Sequence, residues 1–144
     1  MSDKYDSLKL SNQLCFPLYA ASKEIVRRYK PFLDELNLTY TQYIAMLVLW
    51  EHESLNVKQL GEYLFLDSGT LTPLLKKLAD KGYIKRTRDT EDERNVLVSV
   101  TDKGLALRED ALKVPQAMSG CINLSPEEAK VMYKLLYNLL DDQE

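Results

Sequence analysis

A mainly helical chain carrying one small β-hairpin, an α+β class, is what this sequence predicts, and three observations predict it. Within residues 57–100, Val57, Leu60, Tyr63 and Leu64 recur at helical spacing, and after a tight connection at 65–67 Leu71, Leu74, Leu75 and Leu78 do the same. Residues 83–88 and 96–100 then read as two strand-like runs joined by the polar loop DTEDERN. Between Lys76 and Arg88 stand six basic residues (Lys76, Lys77, Lys81, Lys85, Arg86, Arg88) against one acid, Asp80. Helix, turn, helix, hairpin is the outline of a winged helix-turn-helix, and with that charge it reads as a DNA-reading module.

Size and composition agree. At 144 residues the chain holds one compact domain with a core of its own. Within the single domain 1–144, the winged helix-turn-helix is expected at about 38–100, with dimerisation helices at about 8–36 and 102–142. With 45% hydrophobic and 28% charged residues, the chain is neither disordered nor membranous. No apolar run approaches the roughly 18 residues of a membrane span. MSDKYDSLKL lacks the basic and apolar stretches of a secretion signal. Two cysteines 106 positions apart make no disulfide framework, so a cytoplasmic protein is expected.

In chain order, 8–36 reads as mostly helical, with Leu14, Leu18, Ile25, Tyr29, Phe32 and Leu36 as apolar positions. Pro17 is awkward there: either the helix starts near it or is kinked by it. Pro31 raises the same issue more mildly. Asn37-Leu38-Thr39 is a break, after which Thr41 is expected to cap a helix carrying Tyr43, Ile44, Leu47, Val48 and Trp50. Asp67 or Ser68 caps the second helix of the reading module, and Gly82 stops it. Thr101 and Asp102 open a helix through Ala106, Leu107, Ala111 and Leu112 that ends somewhere in 114–120. Ser125-Pro126-Glu127-Glu128 starts the last helix, with a cap, a proline at the first position and acids near the positive end of the dipole. Its apolar stripe is Val131, Leu135, Leu136, Leu139 and Leu140.

The flanking helices are apolar-faced yet stand outside the reading module. A two-fold homodimer built from them would bury those faces and present two reading helices to double-stranded DNA about 34 Å apart, on a pseudo-palindromic operator. The net charge of −3 is a mild objection to such a partner, answered by its distribution: from residue 101 onward there are five bases and eight acids, far from the basic cluster. A Debye length of about 8 Å limits what those distant acids do.

Roles within the module divide by chemistry. Ser68, Thr70 and Thr72 lie at the start of its second helix, the end that usually faces base edges, and their hydroxyls can donate or accept. Lys76 and Lys77 are better placed for phosphate, as is Arg86 in the first strand. Arg94, in the wing loop, suits the minor groove, with Asp92 to orient it. His52, the only histidine, has no metal-ligand company. No metal cluster, phosphate loop or nucleophile motif is present, so neither a cofactor nor an enzyme is expected.

The segments NQLCFPLY at 12–19, LTYTQY at 38–43, LDSGTLTPLLKKL at 66–78 and DERNV at 92–96 carry a resemblance over nearly the whole chain. The sequence resembles the MarR family of dimeric winged-helix regulators, and within it the repressors that sense organic hydroperoxides. The resemblance implies a repressor that leaves DNA when Cys15 is oxidised, with the tyrosines of the sensing pocket falling on Tyr19, Tyr29 and Tyr40. It implies no membrane partner.

The residues themselves support part of this. Cys15, Tyr19, Ser22, Val26 and Tyr29 share one helix face. At 1.5 Å per residue Tyr29 lies about 21 Å from Cys15 along that helix, so a Tyr29 hydroxyl that touches Cys15 comes from a partner subunit. Phenol donors would favour a thiolate, the form that attacks a peroxide, and Leu14, Phe16 and Leu18 would suit an alkyl or acyl hydroperoxide. Without the resemblance Cys15 reads more readily as a buried structural cysteine. A sulfenic acid formed on it can condense with a thiol, external or supplied by Cys121 of the other subunit. Competing readings remain: a regulator answering to a small aromatic ligand or to general redox stress, with Cys15 incidental, and a thiol peroxidase. The last has no basic residue beside Cys15 to support turnover.

Overall fold

The computed structural model describes residues 3–141 and is helical apart from a three-stranded antiparallel sheet. Two single-turn 3-10 segments (Asp6–Leu8 and Leu10–Asn12) lead into helix α1, Cys15–Asp34. The expected 8–36 helix is therefore shorter at both ends. Pro17 is its third residue, where a backbone N–H has no helical partner in any case, so the helix starts near the proline, at Cys15, and Pro17 breaks no helical bond. Asn37, at φ 56°, makes the left-handed turn after α1.

Helix α2 is Tyr40–His52, and its cap is Thr39, not Thr41. Thr39 Oγ1 accepts from Gln42 N (3.3 Å) while Gln42 Oε1 accepts from Thr39 N (3.1 Å). This reciprocal pair fixes the helix start two residues earlier than a threonine cap at 41 would. Strand β1, Ser54–Asn56, follows, then α3, Val57–Leu64, and α4, Ser68–Asp80. Gly61 belongs in α3 because a β-carbon there would stand 2.7 Å from the Leu66 carbonyl oxygen of the returning chain. Gly82, at φ 85°, ends α4 with its N–H donating to Ala79 O and Tyr83 N donating to Leu78 O.

Strands β2 (Ile84–Arg88) and β3 (Val96–Val100) form the expected hairpin, paired from Ile84 with Val100 to Arg88 with Val96. β1 adds to the far side of β3, pairing Leu55 with Val98, so the sheet order is β1-β3-β2. After it the chain forms α5 (Asp102–Ala111), α6 (Lys113–Ser119) and α7 (Pro126–Asp141). The single helix expected between 102 and 120 is thus two, broken at Leu112: Pro115 has no N–H for the Ala111 carbonyl, and its ring crowds that turn. Asp142, the expected end of the last helix, lies outside the described residues.

The core sits around α2. Met46 and Leu49 of α2, Leu60 of α3, Leu71, Leu75 and Leu78 of α4 and Val98 of β3 are all within 1% of full burial. Trp50 Nε1 donates to Gly104 O (2.9 Å), which fastens α5 to the same centre. α1 buries only Leu33, near its end, and α7 buries none of its residues.

Candidate nucleic-acid interface and thiol site

Asp67 sets the start of α4. Its Oδ1 accepts from Thr70 N (2.7 Å), and that bond holds its carboxyl below the usual carboxylate range. The first turn of α4 stands over a cleft of about 900 Å³ between α3, α4 and the hairpin, lined among others by Lys58, Ser68, Thr72, Arg86, Arg88 and Arg94. The structure therefore brings Ser68, Thr72, Arg86 and Arg94 to one surface. Thr70, Lys76, Lys77 and Asp92 lie outside that lining, all but Asp92 fully at the surface. Thr72 differs from expectation: its hydroxyl donates to Ser68 O (2.8 Å), so outward it can only accept. Lys58 and Arg88 were not singled out for contact; the signal for Lys58 was its place in the first turn of the helix that abuts the cleft.

The wing loop is held by its own charges. Asp92 Oδ1 accepts from Arg94 N (3.0 Å) and Arg94 Nε (3.2 Å), as expected for an orienting carboxylate, and Arg94 keeps the Asp92 carboxyl below its ordinary range. Arg88 Nη1 donates to Glu93 O (2.8 Å) across the loop. Arg94 itself is 91% exposed, an extended cation at the wing tip.

Cys15 is the first residue of α1 and is exposed; Cys121, between α6 and α7, is partly buried, and both are free thiols. Arg28 Nη1 donates to Cys121 O (2.8 Å), tying that loop to α1. Leu14, just before α1, Leu18 of α1 and Val131, Leu135 and Leu139 of α7 line an apolar groove of about 780 Å³.

The three named tyrosines do not form one group within a single chain. Tyr29 and Tyr40 lie with ring centroids 5.0 Å apart and their planes tilted by 54°, while Tyr19 is exposed and its hydroxyl takes a bond from Lys23 Nζ (3.3 Å). The third ring of the cluster is Tyr43, 5.7 Å from Tyr29 and 6.4 Å from Tyr40. Its signal was present: Tyr40 and Tyr43 are three apart on one helix and so share a face. Burial raises the pKa of all three, Tyr43 to about 12 with the neighbouring phenols adding to the effect.

A family model described as transcriptional regulator SarA/Rot matches residues 27–110. The organic hydroperoxide resistance transcriptional regulator of Bacillus subtilis (strain 168) is 52% identical over 141 residues, 98% of this chain and 96% of that one. The chain belongs to the MarR/SarA type of winged-helix transcriptional regulators. Within that family the regulator SarZ of Staphylococcus aureus (strain USA300) is 46% identical over 131 residues, 91% of this chain and 88% of its own. AbfR of Staphylococcus epidermidis, solved reduced and bound to DNA, is 34% identical with a TM-score of 0.79, covering 99% of this chain and 100% of its own. AbfR has also been solved with a disulfide formed, at 34% identity and a TM-score of 0.66 over 95% of this chain and 96% of that one. The mainly α fold with its small sheet is the winged-helix architecture of this family. Among the described residues, no helix is long and apolar enough to cross a membrane.

Proposed function

We propose that this MarR/SarA-type regulator is a dimeric repressor that binds a pseudo-palindromic operator and releases it when an organic hydroperoxide oxidises Cys15. The observation that carries the reading is the exposed thiol of Cys15, next in sequence to Leu14 of an apolar groove, in a chain whose phenol cluster lies elsewhere. A second copy seated on α1 and α7 covers that groove and brings the partner's phenols toward Cys15. The phenol O–H groups donate to the thiolate and hold it in the reactive form. The thiolate sulfur then attacks the outer oxygen of the hydroperoxide, the O–O bond breaks, and the alcohol leaves with one proton, giving Cys15 sulfenic acid. Attack by the Cys121 thiol of the other subunit forms the disulfide and releases water. That bond draws the thiol ends of α1 and the α6–α7 loop together and alters the separation of the two α4 helices.

On DNA, Ser68, Thr70 and Thr72 meet base edges, Lys76, Lys77 and Arg86 support them at the backbone, and Arg94, oriented by Asp92, enters the minor groove. The relatives support a DNA-binding, peroxide-responsive reading: one is named for organic hydroperoxide resistance, and another has been solved on DNA and with a disulfide.

The test is binding to a labelled duplex, selected by the reduced wild-type protein from a randomised pool, before and after stoichiometric cumene hydroperoxide. Non-reducing gels are run on the same samples. Release with a dimer band that needs both cysteines is the expected result; Cys15→Ser should bind DNA normally and ignore the peroxide. Release without that band moves the chemistry to an external thiol or to further oxidation of Cys15. No release at all sinks the peroxide reading and leaves a regulator responsive to a small ligand.

A further inference from the structure

We infer that Gln42 and Lys81 form a polar strut that passes the state of the tyrosine cluster to the reading helix α4, a positioning role that rests on the peroxide-sensing reading. Gln42 is the one buried polar side chain among the described residues, at 3% exposure. It stands on α2 between Tyr40 and Tyr43, two rings of the cluster. Its Oε1 accepts twice, from Thr39 N (3.1 Å) within the α2 cap and from Lys81 Nζ (2.9 Å) at the C-terminal end of α4. Lys81 Nζ also donates to Asn37 O (2.5 Å), in the left-handed turn that separates α1 from α2.

The same end of α4 is gripped from the opposite side. Lys103 Nζ donates to Lys81 O (2.8 Å), and Thr101 Oγ1 donates to Gly82 O (2.6 Å). Thus the last turn of α4 is fixed to α5 through its backbone and to the start of α2 through one ammonium group. The remaining buried side chains of the two helices, among them Met46 and Leu49 of α2 and Leu71, Leu74, Leu75 and Leu78 of α4, are apolar and can slide past one another without losing much. A hydrogen bond cannot: about 1 Å of travel from 2.9 Å takes it beyond useful length. Any repacking of Tyr40 and Tyr43 that shifts the start of α2 therefore acts on Lys81 before it acts on the apolar core. Lys81 is also partly withdrawn from water, and this lowers its pKa from the ordinary lysine value. It is a lysine built into the fold, unlike Lys76 and Lys77 on the free face of the same helix.

The experiment compares the ratio of duplex affinities before and after cumene hydroperoxide, using the selected duplex described above, in wild type, Lys81→Met, Lys81→Arg, Gln42→Met and the Lys81→Met/Gln42→Met double variant. A charge lost near DNA weakens both forms alike and cancels in the ratio. Lys81→Met is expected to shrink the ratio by about three- to tenfold, a size usual for residues that transmit coupling. Lys81→Arg keeps the donor and should keep most of the ratio. The double variant should lose no more than the larger single one, as two halves of one strut must. A wild-type ratio in Lys81→Met, or additive losses in the double variant, overturns the strut while leaving the sensor intact. A wild-type protein that stays on the duplex after peroxide overturns the sensing reading and the strut with it.

Discussion

Helices α4 and α7 are both rich in leucine, 13 and 16 residues long, and they treat their leucines in opposite ways. On α4, Leu71, Leu74, Leu75 and Leu78 are 8% exposed or less; on α7, Val131, Leu135 and Leu139 are 57% exposed or more. The pattern in the sequence is the same, an apolar stripe at helical period. What differs is whether the chain itself supplies the opposing surface. For α4 it does, from α2, α3 and the sheet. For α7 it supplies little beyond Leu14, Leu18 and Leu124, and Leu14 is itself 79% exposed. An unmet stripe of this size marks a surface meant for another molecule, and its continuity across the first and last helices suits a second copy of the chain.

The comparison can be broken at its strongest point. Leu75→Ala should cost about 2–5 kcal/mol of folding stability, read from urea unfolding, because the cavity lies among groups with little room to collapse. A loss under about 1 kcal/mol would mean that the α4 core is looser than its burial implies. On the other side, Leu135→Asp should leave the helical circular dichroism in place but convert dimer to monomer in sedimentation velocity, with loss of duplex binding. A variant that remains dimeric would remove α7 from the interface. Arg94→Ala touches neither packed half. It should weaken duplex binding by about tenfold and flatten its salt dependence without moving the melting temperature, and unchanged affinity across salt would dismiss the wing contact.

Smaller effects sharpen the boundary between the halves. Thr39→Ala removes the α2 cap and should cost about 1 kcal/mol. Thr41→Ala should cost less, since Thr41 does not cap the helix. In alkali the tyrosine cluster gives a signed prediction. Tyr43 has its folded pKa raised from 10.0 to about 12, so its stabilisation is complete below pH 10 and is lost as the pH climbs from there through 12. Tyr43→Phe should make the alkaline limb of the stability curve shallower; an unchanged limb would show that this phenol is not the group responsible.

Much of the fold was legible because it depends on local signals. The Asp67 cap, the Gly82 stop and the hairpin all follow from residues within a few positions of one another. Thr39 was legible as well, since Thr-x-x-Gln is the capping-box pattern, whereas Thr41 has Ile44, not a Glu or Gln, three positions on. β1 was not legible. Three residues, Ser-Leu-Asn, carry no alternation long enough to mark a strand, and only their pairing with β3 some forty positions later makes them one. The site divides in the same way. Cys15 and the cation set were visible by residue type, while the placement of Tyr43 beside Tyr29 and the engagement of Thr72's proton depend on packing between elements and on one internal bond.

The uncovered groove also has a consequence in time. Leu14 and Leu18 are made long before Leu135 and Leu139, yet they line the same groove. At about 5–20 residues per second, the wait between Leu18 and Val131 is roughly 6–23 s. The α2–β3 core can close well before the wait is over. From then until α7 emerges the reading head is the folded part and the dimer seam the open one, which leaves the nascent chain dependent on whatever holds apolar segments apart.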